Sequence, residues 1–408
     1  MHILIIYHYA SSPYHGGGGV RSYYLAREWI KKNHKVTIVT ATYAHTRIKN
    51  PVYKNRITKE GIDGINYIWL KTCKYKGQGI GRIFNILGFM MGLYSIIPML
   101  IRENPDVVVA SSVYPLDNFP ANKIARKAEA IYVFELHDLW PLTPLEIGGY
   151  SKYHPFIKIM QYAENFTYKN VDRVISILPC AEEYMIAHGL SENKFTHIPN
   201  GISLDEMNNL EQLDYNVKCK IPRNKFIVGY TGTIGNANSI NTIINAASII
   251  GEINDEICFV LIGEGAEKKN IMLLINKLKL DNCLILDAIP KNQVQSVILL
   301  FDIAVIAWRD RPLLYKYGIS PNKIFDYMYA GRPVIQAVNA GNDIIKDANC
   351  GLKVPPEDPQ ALADGIIKMY KMPKRERELL GANGQKYVLR NHAFDILAKK
   401  FIDAIKVG

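Results

Sequence analysis

Residues 225–243, "KFIVGYTGTIGNANSINTI", contain one complete unit of the fold. A short β-rich run is followed by a loop that includes Thr233 and Gly235, and a helix-forming segment begins near residue 238. Similar units recur along the chain, because short apolar runs such as "HILIIYH", "DVVVAS", "ICFVLIG" and "DIAVIA" alternate with helix-length segments. This alternation predicts an α/β fold with mainly parallel, doubly wound sheets and helices on both faces.

The apolar runs form two series, which predicts two Rossmann-like domains. The first series extends from "HILIIYH" to "RVISI" and the second from "KFIVGYTG" to "RPVIQA", and between them lies "HIPNGISLDE", a Pro, Asn and Gly break suited to a linker. We predict domains over 1–198 and 199–385, with a helical segment 386–408 that returns to the first domain. Two such domains facing each other would place their strand carboxyl ends at one central cleft, where sheets of this type bind ligands.

The composition is that of a globular protein. The chain has 408 residues, of which 48% are hydrophobic and 21% charged. The start, "MHILIIYHYA", lacks the basic region, long apolar run and cleavage site of a signal peptide, so we expect a cytoplasmic protein. Six cysteines lie far apart without a C-x-x-C pair, which argues against a zinc site or a disulfide framework.

A basic segment precedes an uncharged one. Residues 47–82 contain nine Lys or Arg against two Asp or Glu, and 83–101 contain no charge. The apolar segment could be a spanning helix, although Pro98 and a polar or small series at helical spacing disfavour this. It could instead be a crossover helix of the α/β domain, or a crossover helix that also lies on a bilayer surface beside basic residues attracted to anionic lipid. No recognised nucleic-acid module accompanies the charge, so we expect no nucleic-acid partner.

Glycine-bearing loops follow several predicted strands. "HGGGGVRSYYLAREWI" places Gly17, Gly18 and Gly19 before a helix, where backbone N–H groups can approach a phosphate or sugar without obstruction. The spacing matches neither a dinucleotide-binding fingerprint nor a Walker loop, and a plain surface loop is the alternative. "LIGEGAEKKN" offers Glu264 at a similar strand end, as "YTGTIG" offers Thr233 and Gly235.

A histidine lies at the end of another predicted strand. In "FELHDLWP", period-2 alternation puts Glu135 and His137 on the same side, and Asp138 follows at the strand exit. A buried structural histidine is the alternative. The strand-end position beside two carboxylates favours catalytic roles for His137 and Asp138.

A fourth junction, "GISPNKIFDYMYAGRPVI" (318–335), begins a predicted helix. Ser320 suits the N-cap and Pro321 the first helical position, followed by Asn322 and Lys323. The amino end of a helix already carries partial positive charge, so Lys323 is misplaced there unless an anion binds. With the three glycine-bearing junctions, this feature favours a phosphate-containing ligand.

Taken in order, "GGGGVR…LAREWIKKNHKVTIVT", "IPNGIS" and "SPNKIFDYMYAGRPVI" resemble the family 4 glycosyltransferases of the GT-B fold, and among them the N-acetylfucosamine-type transferases of O-antigen and capsule synthesis. The resemblance implies retaining transfer of an N-acetylated hexosamine or deoxyhexosamine from a UDP-sugar to a lipid-linked saccharide, at the inner face of the cytoplasmic membrane and without a cofactor. The first domain would bind the acceptor and the second the nucleotide sugar. An epimerase of the same fold and a non-catalytic nucleotide-sugar-binding protein are the alternatives.

The same resemblance assigns roles to particular residues. It implies that His137 contacts the donor sugar, that Asp326 binds the ribose, and that Lys323 with the helix start at 320–322 holds the diphosphate. Lys323 and Asp326 are three residues apart and are expected to face similarly on the helix.

The sequence also departs from the family pattern. Gly318 stands eight residues before Asp326, where the family often has a glutamate, and "GTIGNANS" lacks the usual Arg and Lys, so Arg309 is expected to assist the phosphate contacts. No Asp-x-Asp motif occurs in the chain, and we therefore predict a metal-independent enzyme.

Overall fold

The computed structural model describes residues 1–75, 77 and 79–406, and the chain forms two compact units. Unit 1 comprises Met1–Asn200, Tyr317–Ser320 and the residues from Phe394 onward; unit 2 comprises Gly201–Lys316 and Pro321–Ala393. The division at 200 falls within the segment "HIPNGISLDE". The predicted boundary at 385 lies inside a helix of unit 2 that ends at Asn391, so the carboxyl-terminal segment of unit 1 begins later than residue 386.

In the described part of unit 1, eight strands form one sheet in the order β3-β4-β2-β1-β5-β6-β7-β8. All neighbours are parallel except the hairpin of β3 and β4. The strands are β1 His2–Ile6, β2 Lys35–Ala41, β3 Ile57–Ile62, β4 Ile65–Leu70, β5 Val107–Ser112, β6 Ile131–Leu136, β7 Arg173–Ser176 and β8 Phe195–His197. The hairpin lies within the basic segment, where no strand was predicted.

Helices cover both faces of this sheet. They are α1 Arg21–Ile30, α2 Ile80–Arg102, α3 Asn118–Ala128, α4 Leu142–Glu146, α5 Pro155–Asn170, α6 Glu182–Ala187 and, at the carboxyl end of the chain, α17 Phe394–Lys406. One core contains residues of α1 and α17, and the other contains residues of α2 and α3. The Trp29 indole N–H donates to the Ala398 carbonyl (3.0 Å), which fixes α17 on α1.

Helix α2 is the crossover between β4 and β5. Its buried residues, including Phe89, Leu93 and Ile97, lie in the core against the sheet. By length and composition α2 could cross a membrane, but 39% of its most apolar window is buried inside the unit. The outer face remains exposed and apolar, with Phe84, Leu87 and Met91 at 61%, 47% and 69% exposure.

In the described part of unit 2, six parallel strands form a sheet in the order β11-β10-β9-β12-β13-β14. They are β9 Phe226–Thr231, β10 Ile257–Ile262, β11 Cys283–Leu286, β12 Ile303–Ala307, β13 Val334–Ala337 and β14 Gly351–Val354. Strands β9, β10, β12 and β13 are buried throughout, as expected where helices cover both faces of a parallel sheet.

The helices of unit 2 complete the alternation. They are α7 Leu204–Asn208, α8 Tyr215–Lys218, α9 Ile240–Gly251, α10 Lys268–Leu278, α11 Lys291–Ile298, α12 Pro312–Tyr315, α13 Asn322–Tyr329, α14 Ile344–Ala348, α15 Pro359–Lys371 and α16 Lys374–Asn391. The α/β fold class predicted from the sequence is confirmed.

Candidate functional site

The strand orders indicate where each unit binds ligands. In unit 1 the order reverses between β1 and β5, and in unit 2 between β9 and β12. Loops diverge at such a reversal and leave a crevice beyond the strand carboxyl ends. The loops after β1, β5 and the adjacent β6 are therefore the candidate site of unit 1, and those after β9 and β12 the candidate site of unit 2.

A buried polar network occupies the unit 1 crevice. The Glu135 carboxylate accepts from Arg21 Nε (2.9 Å) and from the Ser111 hydroxyl (2.6 Å). His137 Nε2 lies 2.8 Å from Ser111 Oγ and 3.4 Å from Glu135 Oε2. Burial disfavours the carboxylate, but the Arg21 charge and the hydrogen bonds from His137 and Ser111 outweigh it and hold the pKa of Glu135 well below its usual range. Glu135 is therefore an anion.

The His137 ring is fixed on its other side by Tyr7. The two rings are stacked at 5.2 Å with an interplanar angle of 9°. The His137 side chain is 13% exposed, and in the described residues its Nδ1 has no hydrogen-bond partner. The ring therefore has one edge bound within the protein and one edge with free hydrogen-bonding capacity.

Asp138 points into its own loop. Its carboxylate accepts from the Thr143 hydroxyl (2.6 Å) and the Trp140 indole N–H (3.2 Å), and burial raises its pKa to about 6. These contacts hold the segment between β6 and α4. The structure thus gives Asp138 a structural role, and its predicted catalytic role stays a prediction.

The first glycine loop packs closely on neighbouring backbone. Gly17 and Gly19 have φ of +81° and +82°, and a Cβ would lie 2.0 Å from the Thr46 carbonyl oxygen at Gly17 and 2.1 Å from that of Tyr9 at Gly19. The Gly18 N–H already donates to Thr46 (2.9 Å). Gly17 and Gly19 are therefore required because neighbouring backbone approaches them closely. The sequence suggested that the Gly18 N–H would be free to bind a ligand, but it is already bonded to the Thr46 carbonyl.

Arg47 supports this loop from inside the protein. It is 5% exposed, and its guanidinium donates to the carbonyls of Ala10 and Ala41 and to the Thr40 hydroxyl. Arg47 therefore does not belong to a basic surface, although it was counted among the nine basic residues of 47–82.

Other basic residues of that segment do reach the surface. Lys71 and Lys74 are exposed and Arg82 is half-buried, whereas Lys76 lies outside the described residues.

In unit 2, the loops after β9 and β10 lie against each other. The Ile234 N–H donates to the Glu264 carbonyl (2.9 Å), and a Cβ at Gly263 would lie 1.8 Å from the Gly232 carbonyl oxygen. The Thr233 carbonyl accepts from the Tyr230 hydroxyl (2.7 Å). The predicted donor-binding residue Glu264 turns its carboxylate to Lys268 on the surface, at 2.5 Å.

Lys323 reaches the loop after β9. Its ammonium donates to the Tyr230 hydroxyl (2.8 Å) and to Asn238 Oδ1 (3.2 Å), and it lies 4.3 Å from the centre of the Tyr230 ring. It would also lie 3.1 Å from a Cβ at Gly232. Within the described residues it makes no ion pair, and burial lowers its pKa to about 7. An ammonium has three N–H donors, so one remains for a ligand.

The helix start differs from the prediction. Helix α13 begins at Asn322, Pro321 occupies the N-cap position, and no side chain caps the helix. The Ser320 hydroxyl instead accepts from the Asn200 N–H (2.8 Å), and the Asn200 amide donates to the Ser320 carbonyl (2.8 Å). Ser320 therefore fixes the chain leading to α13 rather than capping the helix.

Asp326 faces a different neighbour from Lys323. Both its carboxylate oxygens accept from Lys291 Nζ of α11, at 3.1 and 3.0 Å, and its side chain is 12% exposed. Asp326 and Lys323 thus contact different neighbours of α13, the former Lys291 and the latter Tyr230 and Asn238, and the expectation that they hold one nucleotide together stays a prediction. A ribose bound at Asp326 would have to share the carboxylate with Lys291.

Arg309 also lies beside the β9–α9 loop. The backbone N–H of Arg309 donates to the Ala237 carbonyl (3.1 Å). The residue lines a pocket of about 160 Å³ at the amino end of α9, together with Asn236, Ser239 and Glu357. Lys323 through its ammonium and Arg309 through its backbone thus contact residues 238 and 237, on the loop that lacks basic residues of its own. No group of three or more potential metal ligands occurs among the residues that the structure describes.

Several residues of these sites were not predicted. Arg21 and Ser111 were not predicted because a lone arginine after a glycine loop and a serine at a strand end do not by themselves indicate a site. Tyr230 and Lys291 were missed because their contacts join segments far apart in sequence. For Arg21, its position directly after the glycine loop, inside the motif that carried the family resemblance, was the available signal.

Both halves of the chain match known protein families. The model of "Glycosyltransferase Family 4" matches residues 15–206, and that of "Glycosyl transferases group 1" matches residues 212–387. Together they cover most of both units, including His137 in unit 1 and Lys323 in unit 2. The chain belongs to the family 4 glycosyltransferases of the GT-B fold. Among curated protein sequences, none matches this chain.

Solved structures resemble the whole chain. Sucrose-phosphate synthase from Thermosynechococcus elongatus has a TM-score of 0.76 at 17% identity, over 100% of this chain and 98% of the other. Anabaena Alr3699/HepE, solved with UDP-glucose, has a TM-score of 0.69 at 14% identity, over 100% and 99%. WaaG, a glycosyltransferase of lipopolysaccharide biosynthesis, has a TM-score of 0.69 at 15% identity, over 100% of both chains. At these identities the similarity establishes the fold.

Proposed function

We propose that the protein is a retaining, metal-independent glycosyltransferase that moves an N-acetylated hexosamine or deoxyhexosamine from a UDP-sugar to a lipid-linked saccharide. The observation that carries the donor assignment is Lys323, whose half-buried ammonium lies at the β9–α9 loop without an ion-pair partner among the described residues. A cation held away from water without a counter-ion is unfavourable unless a ligand supplies the charge. The diphosphate of a nucleotide sugar supplies it.

The surroundings of Lys323 suit a diphosphate. Arg309 lies beside the same loop, and Gly232 leaves room for the ammonium beside the backbone. The family's usual Arg and Lys are absent from this loop, so Lys323 and Arg309 take over their charge from other elements. HepE and WaaG support the choice of a UDP-sugar and of a cell-surface glycan, since the former was solved with UDP-glucose and the latter acts in lipopolysaccharide biosynthesis.

In the proposed reaction the acceptor hydroxyl attacks the face of the sugar that the nucleotide leaves. Lys323 stabilises the negative charge that builds on the departing phosphate, and His137 orients the sugar. The leaving phosphate itself takes the acceptor proton, so no side chain acts as a covalent nucleophile. The hexosamine identity is proposed from the sequence resemblance alone.

We also propose that unit 1 docks on the inner face of the cytoplasmic membrane through α2. Its exposed residues Phe84, Leu87 and Met91 form an apolar strip, and the exposed Lys71 and Lys74 precede it in sequence. Apolar burial with electrostatic attraction to anionic lipid is the ordinary basis of interfacial binding. Docking would bring the enzyme to a lipid-linked acceptor.

A donor panel tests the function. Purified full-length protein is incubated with UDP-sugars, with and without lipid-linked saccharides, and nucleotide release and products are analysed. Release of UDP together with a glycosylated acceptor supports the proposal. An isomerised donor without acceptor would indicate an epimerase, and nucleotide binding without turnover would indicate a non-catalytic protein; either result would overturn it.

A further inference from the structure

Hydrogen-bond chemistry in the unit 1 network restricts the protonation of His137. The Ser111 oxygen lies 2.6 Å from Glu135 Oε2. A carboxylate can only accept hydrogen bonds, so at this distance the serine hydroxyl must donate its single hydrogen to Glu135. The serine oxygen then has only lone pairs to offer to His137.

The imidazole must supply the hydrogen for the second contact. His137 Nε2 lies 2.8 Å from Ser111 Oγ, and because that oxygen accepts, Nε2 donates. The same N–H points to Glu135 Oε2 at 3.4 Å. In the uncharged ring Nδ1 is then the unprotonated nitrogen, and it accepts hydrogen bonds.

Arg21 stabilises the negative charge of Glu135. Arg21 Nε donates to Glu135 Oε1 at 2.9 Å, and the Arg21 guanidinium is itself anchored to the Ile198 carbonyl (2.9 Å). Glu135, Ser111 and Arg21 are 2%, 0% and 5% exposed, so water does not compete for these bonds. Because Arg21 holds Glu135 as an acceptor, Ser111 donates to Glu135 and His137 Nε2 donates to Ser111.

We propose that Glu135, acting through Ser111, is a positioning residue that holds His137 as the Nε2–H tautomer, so that Nδ1 accepts a hydrogen bond from a hydroxyl of the donor sugar. The second half of this inference rests on the proposed function, while the tautomer does not. Tyr7, stacked on the ring, fixes its plane, and the network fixes which nitrogen is the acceptor.

Glu135→Gln gives a specific test, because the variant should reverse the chain of hydrogen bonds. Arg21 requires an acceptor, so the amide oxygen should face it and the amide NH₂ should face Ser111. The serine oxygen then accepts, and its hydroxyl hydrogen turns to His137 Nε2. We expect the Nδ1–H tautomer in this variant.

The measurement is a two-bond ¹H–¹⁵N correlation spectrum of full-length protein labelled at histidine, at a pH where the ring is uncharged. The His137 signals are assigned by their loss in His137→Gln. We expect the Nε2–H pattern in the wild type and in Ser111→Ala, where Nε2–H can still donate to Glu135. A predominant Nδ1–H pattern in the wild type would overturn the inference without any variant.

Glu164→Gln is the matched control. Glu164 is also a buried carboxylate of unit 1 at 2% exposure, but its partners are Gln161 and the hydroxyls of Tyr168 and Tyr184. Its neutralisation should leave the His137 tautomer unchanged. A change in this variant equal to that in Glu135→Gln would show a general effect of buried charge and overturn the positioning role.

The role of Nδ1 is tested by adding ligands. UDP-glucose and UDP-N-acetylglucosamine should shift the His137 Nδ1 resonance upfield, as acceptance of a hydrogen bond does, while UDP alone should not. Turnover of Glu135→Gln should fall about tenfold or more at unchanged UDP affinity. If neither UDP-sugar shifts the Nδ1 resonance, the proposed contact between Nδ1 and the sugar is wrong. If the wild type shows the Nε2–H tautomer but no sugar transfer, only the proposed function is refuted.

Discussion

The ammonium of Lys323 lies 2.8 Å from the Tyr230 hydroxyl and 4.3 Å from the centre of its ring, at the end of the strand where the order of the unit 2 sheet reverses. Tyr230 in turn donates to the Thr233 carbonyl, 2.7 Å away. The phenol therefore positions a cation of α13 beside the β9–α9 loop. This contact places positive charge where the loop has none of its own.

Lys323→Ala should reduce turnover more than donor binding. The ammonium contact strengthens as charge builds on the leaving phosphate, so its loss should cost about 3 kcal/mol in the transition state, on the order of a hundredfold in kcat. Steady-state kinetics and UDP titration measure the two effects. Wild-type kinetics in Lys323→Ala, with folding confirmed by circular dichroism, would mean that Lys323 has no role in donor binding or turnover.

Donor binding should weaken as pH rises. Burial lowers the pKa of Lys323 to about 7, so above that pH the ligand-free protein must take up a proton to bind the diphosphate with a charged lysine. Affinity for a UDP-sugar, whose diphosphate does not titrate in this range, should fall up to about tenfold per pH unit above about 7. Calorimetry in buffers of different ionisation enthalpy measures the uptake. Lys323→Arg, always charged, should show neither effect.

Asp326→Ala should weaken binding of UDP and UDP-sugar equally, because both carry the ribose. It should affect turnover less, because ribose hydrogen bonds persist from the ground state to the transition state. The ion pair with Lys291 complicates this variant, since its loss also leaves Lys291 without its carboxylate. Lys291→Ala is therefore the control. If both variants lose the same affinity, the ion pair rather than a ribose contact explains the loss, and the predicted role of Asp326 is wrong.

Vesicle binding should require the outer face of α2. We expect Leu87→Glu with Met91→Glu to abolish co-sedimentation with anionic vesicles, because two carboxylates would enter the apolar layer. Neutralising Lys71 and Lys74 should weaken binding at low salt and reduce its salt dependence. Unchanged vesicle binding in both the glutamate and the lysine variants would exclude the outer face of α2 as the membrane-binding surface.

The control for vesicle binding lies in unit 2. Met272 and Leu273 of α10 are also exposed, at 48% and 67%, and are flanked by the exposed Lys277. Met272→Glu with Leu273→Glu should leave binding to anionic vesicles unchanged. An equal loss would show that any reduction in surface hydrophobicity suffices, against a specific role of α2.

Transfer should persist in excess EDTA and keep the anomeric configuration of the donor. In the proposed complex, protonated Lys323 and Arg309 would supply positive charge to the diphosphate, so no divalent ion would be needed for that purpose. NMR of the glycosylated product reads the configuration. An inverted product, or activity that returns only when a divalent ion is added back, would contradict the proposed mechanism.

The architecture was predictable because it depends on local patterns. The strand "ICFVLI" is apolar throughout and "HILII" is apolar after its first residue, as parallel sheets covered on both faces require, and this property is visible without tertiary information. The hairpin β3–β4 was missed because β3, "ITKEGI", is mostly exposed and lies within a basic segment. Its pairing with β4 rather than its composition makes it a strand.

The site was only partly predictable. His137 and Lys323 were identified from a strand end and a helix start, both local features. The partners of these residues were not, because Ser111 and Tyr230 lie 26 and 93 residues away in sequence. Ser111 meets His137 because β5 and β6 are neighbouring strands, and Tyr230 meets Lys323 because the fold brings the start of α13 to the end of β9.

The sequence by itself determined the α/β class, the two series of strands and the positions of the loops that follow them, because periodicity and glycine placement act within a few residues. Only the tertiary structure decided what those loops do. It showed that Gly17 and Gly19 serve backbone packing, that Arg47 is buried, and that Asp326 pairs with Lys291 while Lys323 pairs with Tyr230. The physical reason is that burial and hydrogen-bond direction depend on neighbours brought together by the sheet.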